Sequence, residues 1–167
     1  MGKLILILGV ILLMYTPVSY VIGRLETESE MQYREGQMGE IVIPAIDVHL
    51  PIYKGTEEET LSKGIGFLEE SSPLAGEENS HSILAGHRGL PNAAMFLRLD
   101  ELKEGDIFSL YVSGRELQYE VCEIQIILPT QTGGLGVKEG RDLVSLVTCT
   151  PYGINTHRLV VTGERKE

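Results

Sequence analysis

One of the two cysteines of the chain ends an apolar run, where a nucleophile can be exposed. Cys149 closes the stretch DLVSLVTC, in which alternate residues from Leu143 to Cys149 would share one face of a strand. The next stretch, TPYGINT, contains three turn-forming residues, so the chain most simply reverses there. Such a reversal places Cys149 beside Arg158, nine residues further on. A guanidinium beside a thiol favours the thiolate or donates hydrogen bonds to a developing oxyanion.

A nucleophilic cysteine also needs a partner that transfers protons. The candidates are the four histidines, His49, His81, His87 and His157. His87 ends the short strand HSILAGH before the turn RGLP, so it can project from the same rim of a barrel as the cysteine. His157 faces away from its arginine neighbour, His49 lies in a proline-flanked segment, and His81 lies in a polar loop. The residues alone favour His87 and leave the others open.

Each of these residues also has an ordinary structural explanation. A lone cysteine in an apolar strand is most often an inert small hydrophobic residue, and an arginine at a strand start commonly extends its charge into solvent. The second cysteine, Cys122, fits that explanation, because its strand face also carries Gln118 and Glu120. A disulfide between Cys122 and Cys149 is a further alternative outside the cell.

Composition and charge exclude several classes of protein. The chain of 167 residues has a formal net charge of -10, which argues against a general nucleic-acid surface. Cysteine and histidine spacings typical of structural zinc are absent from the sequence. The acidic runs at 57–59 and 77–78 are more typical of a solvated surface than of calcium ligands. We therefore expect neither a metal nor a cofactor.

The sequence divides into three parts. Residues 1–23 are predicted to be a membrane anchor, because Leu4 to Ile22 is a run of 19 residues without a charge. As a helix this run would be roughly 28 Å long, close to the hydrocarbon thickness of a bilayer. A cleaved signal peptide is the alternative. Residues 24–38 are interpreted as an acidic stalk and residues 39–167 as the catalytic domain, which we expect to lie outside the cell.

The remaining pattern predicts an all-β barrel or sandwich with small helices. The apolar stretches EIVIPAI, VHLPIY, HSILAGH, DIFSLYV, RELQYEVCEIQIIL, DLVSLVTC and HRLVVTGE are the predicted strands. A short helix is predicted with Thr56 as its cap and Gly64 as its end, and a second one from Pro91 onwards. The glycine-rich loop at 129–141 is expected to form one wall of a groove.

Several of these stretches together resemble the sortases, the cysteine transpeptidases of Gram-positive cell surfaces. The likeness covers roughly residues 38 to 165 and is greatest for the class C, pilus-assembling branch. It is carried by IVIPAIDVHLPIYKGT, AGHRGLPNAAMFLRLDELKEGD and LVTCTPYGINTHRLVVTGER. The family's Thr-Leu-x-Thr-Cys motif appears as Ser-Leu-Val-Thr-Cys at 145–149. The fold that the resemblance implies is an eight-stranded β-barrel with short helices, preceded by one transmembrane helix.

The resemblance also implies a role for each matching residue. Cys149 would attack the Thr-Gly carbonyl of a Leu-Pro-x-Thr-Gly-like sorting signal, and His87 would act as general acid and then as base. Arg158 would hold the substrate or the oxyanion, and Leu146 and Thr148 would bind substrate. The partners implied are surface proteins or pilins as acyl donors, and a pilin lysine or a peptidoglycan cross-bridge as the amine acceptor. A non-catalytic pilus-assembly accessory module and a hydrolase using water remain the alternatives.

The chain departs from the class C pattern in two places. Residues 24–38 lack the Asp-Pro-aromatic motif of an active-site lid. The last residues, GERKE at 163–167, are charged and lack the apolar run of a second membrane segment. These departures predict an active site without a lid, and they leave open whether pilus polymerisation or cell-wall anchoring is the task.

Overall fold

Eight strands form a closed barrel over the residues that the computed structural model describes, 35–90, 93–131 and 133–166. The predicted all-β class and eight-stranded barrel are therefore confirmed. The predicted anchor and residues 24–34 of the predicted stalk lie outside the described residues. Within the described ranges, no helix is long and apolar enough to cross a bilayer. The strands are β1 (Gln37–Ile43), β2 (Val48–Lys54), β3 (Ile65–Phe67), β4 (Ser80–Ala85), β5 (Ile107–Val112), β6 (Arg115–Ile127), β7 (Asp142–Thr150) and β8 (His157–Arg165).

The order of the strands around the barrel brings together segments that are distant in sequence. It runs β1-β2-β3-β4-β7-β8-β6-β5, and β5 pairs with β1 to close the ring. The pairs β2–β3 and β4–β7 are parallel, whereas the others are antiparallel. Parallel strands require a long crossover between them. Because β4 and β7 run side by side in one direction, their carboxyl ends meet at the same rim of the barrel.

The barrel interior is filled by alternate residues of the strands. On β7, Val144 and Leu146 are fully buried in this core. The rings of Phe108 and Tyr119 stack with their centroids 5.5 Å apart. Gly163 of β8 lies against them, and a Cβ atom at that position would come within 2.5 Å of the Phe108 ring. The strand therefore needs glycine there for the ring to pack.

The first predicted helix is present but begins differently. Helix α1 spans Glu58–Leu61, and Glu57 occupies its cap position without a side-chain hydrogen bond to the helix. The prediction of Thr56 as the cap is wrong. The Thr60 hydroxyl lies 3.5 Å from the Lys54 carbonyl, which connects the helix to the end of β2.

The second predicted helix is replaced by turns over the described residues that follow Pro91, which itself lies outside them. Met95 has a φ of 45°, a left-handed conformation that interrupts a right-handed helix. The next residue, Phe96, donates its backbone N–H to the His87 carbonyl at 3.0 Å. A 3-10 turn follows at Leu99–Glu101. Burial of Phe96 and Leu99 in the barrel core outweighs the helical pattern.

Candidate active site

Cys149 lies near the end of β7, on the outer face of the barrel. Leu143, Ser145 and Val147 share this face, as predicted from the alternation of the strand. The cysteine is partly exposed, and both Cys149 and Cys122 are free thiols. The considered disulfide between them is therefore absent from the structure. The nucleophile candidate stands on a rigid central strand, paired on one side with β4 and on the other with β8.

Arg158 faces Cys149 directly across the β7–β8 pair. Residues directly opposite in an antiparallel pair have neighbouring side chains on the same face. The Nη1 atom of Arg158 donates to the backbone carbonyls of His157 at 3.1 Å and Asn155 at 3.3 Å, and these bonds restrict the guanidinium. Arg158 therefore places a permanently charged side chain on the residue opposite Cys149.

His87 reaches the other side of Cys149 through the parallel β4–β7 pair. Ala85 pairs with Val147, and the pairing continues because Gly86 donates its N–H to the Val147 carbonyl at 3.0 Å. β4 ends at Ala85, and the same register continued by two residues would bring His87 alongside Cys149. The Phe96 hydrogen bond to the His87 carbonyl fixes the backbone there.

One ring nitrogen of the His87 imidazole has no hydrogen-bond partner among the described residues. Its Nε2 atom lies 3.3 Å from a Glu58 carboxylate oxygen, but the geometry makes this an electrostatic approach and not a hydrogen bond. The atom is also shielded from solvent. A buried polar atom in this state is unusual and calls for a functional reason. A hydrogen-bond donor of the substrate, or a proton in transfer, would give this atom a partner.

The other three histidines lie elsewhere. His49 is exposed and binds Glu40 at 2.6 Å. His157 pairs with Thr150, and its Nδ1 atom lies 2.9 Å from the Thr156 hydroxyl. His81 is buried beneath the loop between β6 and β7. The structure thus sets Arg158 opposite Cys149 in the β7–β8 pair and ends β4 beside β7 two residues before His87.

Arg88 is not among the predicted site residues, yet it links the segments that carry His87 and Cys149. Its Nη1 atom donates to the Thr150 hydroxyl at 2.6 Å, and its Nη2 atom pairs with the Asp100 carboxylate at 2.6 Å. The guanidinium is largely buried, with 9% of the side chain exposed. Because Arg88 follows His87 and Thr150 follows Cys149, the bond connects the neighbours of both groups. The signal in the sequence was the dipeptide His87-Arg88. Adjacent residues of an extended segment point to opposite faces, so Arg88 points away from the face of His87.

Replacing Arg88 by methionine is expected to loosen this connection. We expect about 1–3 kcal/mol lower unfolding free energy, because a buried charge-assisted hydrogen bond is lost, and an acylation rate lower by about tenfold. Arg98 provides the matched control, since its ion pair with Glu101 is exposed and surface pairs contribute little. Thermal denaturation and acylation kinetics of Arg88→Met and Arg98→Met measure both effects. Equal behaviour of the two variants would contradict the assigned role.

A groove of about 560 Å³ has Arg158 in its lining. Its floor is apolar and comes from Ile83 and Ala85 of β4 and Val147 of β7. The loop after β6 supplies a wall, as predicted, through Pro129, Gln131, Leu135 and Gly136. The groove is open and its lining is mostly apolar, which suits the apolar side chains of a peptide.

Leu146 and Thr148 do not line this groove. The Leu146 side chain is fully buried in the barrel core. Thr148 is 2% exposed and donates its hydroxyl to the Gly86 carbonyl at 2.8 Å. The alternation of β7 points both side chains inward. We therefore correct the prediction that they contact substrate, because both positions are structural. Thr148 instead fixes the residue that precedes His87.

The described residues contain no group of three or more His, Cys, Asp or Glu side chains arranged to hold a metal ion.

Fold and site together describe a β-barrel with a cysteine, a histidine and an arginine gathered on one rim. The family model of the sortase domain matches residues 41–166. The chain therefore belongs to the sortase family, whose members are cysteine transpeptidases.

Individual relatives agree with this assignment. Sortase D of Bacillus subtilis is 32% identical over 130 residues, which cover 76% of this chain and 63% of that protein. Sortase A of Bacillus anthracis is 28% identical over 127 residues, covering 76% of this chain and 59% of that protein. The chain thus spans less than two thirds of the length of these two relatives.

Some solved structures share more sequence identity with this chain than these two relatives do. Sortase C of Streptococcus pneumoniae has a TM-score of 0.79 and 43% identity, with 83% of this chain and 73% of that chain covered. Sortase C-1 of Actinomyces oris has a TM-score of 0.78 and 50% identity, with 79% and 75% covered. These structural neighbours belong to class C, the branch that the sequence resembles.

Proposed function

We propose that this protein is a transpeptidase that cleaves a Leu-Pro-x-Thr-Gly-like sorting signal between Thr and Gly and transfers the acyl group to an amine. The observation that carries the proposal is the register of β7 with its two neighbours. It sets Arg158 opposite Cys149 in β8, and on the other side β4, which runs parallel to β7 as far as Ala85, leads on to His87. The apolar groove beside them has Val147 and Arg158 in its lining. The sorting signal would lie in the groove with its Thr-Gly bond at Cys149.

The first half of the reaction forms a thioester. With the thiol proton held by His87, the Cys149 thiolate attacks the threonine carbonyl carbon, and an electron pair of the C=O bond moves to the oxygen. The Arg158 guanidinium stabilises the negative charge that develops there. As the intermediate collapses, the C–N bond breaks and His87 donates a proton to the leaving glycine amine. The acyl group remains on Cys149.

The second half releases the acyl group to a new amine. An amine enters where the glycine left, and neutral His87 accepts a proton as its nitrogen attacks the thioester carbonyl. The C–S bond breaks, an amide bond forms and the thiolate is restored. The acceptor is a pilin lysine or a peptidoglycan cross-bridge amine, in keeping with the class C neighbours.

Product analysis tests transfer against hydrolysis. The full chain is incubated with a Leu-Pro-x-Thr-Gly peptide, with and without an added amine such as triglycine or a lysine peptide. We expect the ligated product to appear in proportion to the amine, because a bound amine attacks the thioester faster than water does. A product that is the free acid at every amine concentration would identify a hydrolase instead.

We also propose that residues 1–23 anchor the protein in the cell membrane as a single span, with the catalytic domain outside the cell. The uncharged run of 19 residues at 4–22 supports this placement. Protease added to intact cells should then degrade the domain while leaving cytoplasmic markers intact. Protection of the domain from protease would contradict the proposed topology.

A further inference from the structure

A buried chain of hydrogen bonds ties the groove-wall loop to the barrel. His81 of β4 is 2% exposed, and its Nδ1 atom lies 3.0 Å from the backbone carbonyl oxygen of Gly136 in the loop. Its Nε2 atom lies 2.8 Å from the Ser145 hydroxyl of β7. That hydroxyl lies 2.8 Å from the Thr162 hydroxyl of β8. Four segments of the molecule are thus joined through one imidazole.

The Gly136 carbonyl at one end determines the donor and the acceptor in every hydrogen bond of this network. The Gly136 carbonyl can only accept, so the His81 proton lies on Nδ1. The Nε2 atom then accepts from Ser145, and Ser145 in turn accepts from Thr162. The network is complete with a neutral imidazole. A second proton on Nε2 would reverse the bond to Ser145.

The surroundings also favour the neutral ring. Burial lowers the pKa of His81, and the nearby charges of Lys138 and Arg141 lower it further, whereas the Gly136 hydrogen bond and the Glu123 carboxylate act in the opposite direction. An unfolded histidine takes up a proton below about pH 6.5. The contribution of His81 to stability is therefore present above that pH and is lost as the pH falls below it.

Gly136, the loop residue that His81 bonds, lines the groove. Gly136 and its neighbour Leu135 line the wall that faces Ile83 and Val147. The loop around them carries Gly133, Gly134 and Gly136, and glycine-rich backbone loses much conformational entropy when it is ordered. A bond from the rigid barrel to this stretch offsets that cost before a substrate arrives.

We propose that His81 is a positioning residue that holds the groove wall at Gly136 and thereby sets the affinity for the sorting-signal peptide. The inference rests on the proposed function, because the groove is taken to be the peptide site. His81 takes no part in bond making or breaking, so its loss should change binding of the peptide and leave the chemistry at Cys149 intact.

Two substitutions at His81 each retain one of the two hydrogen bonds of the ring and remove the other. In His81→Asn the amide nitrogen falls near the position of Nδ1 and can still donate to Gly136. In His81→Gln the amide falls near Nε2, so the bond to Ser145 can persist while the loop is released. Ser82→Ala is the matched control. Ser82 is the next residue of β4 and is equally buried, but it donates to the carbonyls of Ser72 and Pro73, away from the loop.

The test measures KM and kcat for a Leu-Pro-x-Thr-Gly peptide, together with hydrogen exchange of the amides at 133–138, in the full chain. We expect His81→Gln to raise KM by about fivefold with kcat within about twofold, the effect of one lost hydrogen bond. The loop amides should exchange faster in that variant. His81→Asn should stay close to the wild type, and Ser82→Ala should lower the melting temperature with KM unchanged.

Two results would overturn the inference. One is an unchanged KM and unchanged loop exchange in His81→Gln. The other is an equal rise of KM in Ser82→Ala, which would reduce the effect to general destabilisation. Absence of turnover in the wild type would instead refute the proposed function, and in that case hydrogen exchange at 133–138 still decides whether His81 holds the loop.

Discussion

Cys149→Ala is expected to lower the rate of peptide transfer by about a thousandfold or more, to the level without enzyme. The substitution removes the atom that forms the thioester, and loss of a nucleophile typically has an effect of this size. The fold should persist, because the side chain is partly exposed on the outer face of β7 and does not belong to the barrel core. Peptide cleavage and ligation followed by chromatography measure the change.

Cys122→Ala is the matched control for this experiment. Cys122 lies on β6, outside the lining of the groove, and its thiol donates to the Thr162 carbonyl of β8 at 3.4 Å. Burial raises the pKa of this thiol, which keeps it protonated and a poor nucleophile. Its replacement should leave transfer unchanged within about twofold. Equal activity of both alanine variants would mean that neither thiol is the nucleophile.

His87→Gln should cost about a hundredfold to a thousandfold in kcat, the usual range for a general acid and base. Glutamine preserves much of the shape of the ring but cannot transfer a proton. The leaving glycine amine would then depart unprotonated, so acylation slows more than peptide binding weakens. Stopped-flow acylation with the sorting peptide separates kcat from KM.

His49→Gln provides the comparison for that variant. His49 is exposed and paired with Glu40 outside the groove, so the variant should retain full activity. A methyl or ethyl ester of the sorting signal gives a second comparison, because its leaving group needs less protonation than an amine. The loss in His87→Gln should be smaller with the ester. Equal losses with both substrates would contradict a role as the general acid.

Part of this site could be predicted because its determinants are local. The turn residues after Cys149 require a reversal, and a reversal between two strands pairs their adjoining ends, which gave the juxtaposition with Arg158. The alternation of β7 likewise predicted which residues share the face of Cys149. Both features follow from a stretch of fewer than twenty residues.

The other contacts depend on partners far away in the sequence. His87 joins the site through the parallel pairing of β4 and β7, and the register of that pair is set by burial across the whole barrel. The hydrogen bonds of Arg88 to Thr150 and of His81 to Ser145 span more than sixty residues. The predicted strand HSILAGH begins at His81, yet this residue was assigned to the polar loop before it, whereas the structure buries it in β4.

The second helical prediction failed for a related reason. The stretch after Pro91 has apolar residues at helical spacing, but Phe96 and Leu99 reach the core from turns. The left-handed Met95 allows the chain to bend back so that Phe96 can bond the His87 carbonyl. The tertiary requirement at the site thus overrides local propensity.

The central claim is that the Cys149 thiol carries the acyl group of a sorting signal. Intact-mass spectrometry of the full chain, mixed with a Leu-Pro-x-Thr-Gly peptide and quenched in acid, tests it directly. We predict a mass increase equal to the peptide minus its glycine portion, mapped by digestion to the peptide that contains Cys149 and removed by hydroxylamine. An adduct on another residue, or cleavage of the peptide without any covalent intermediate, would contradict the claim.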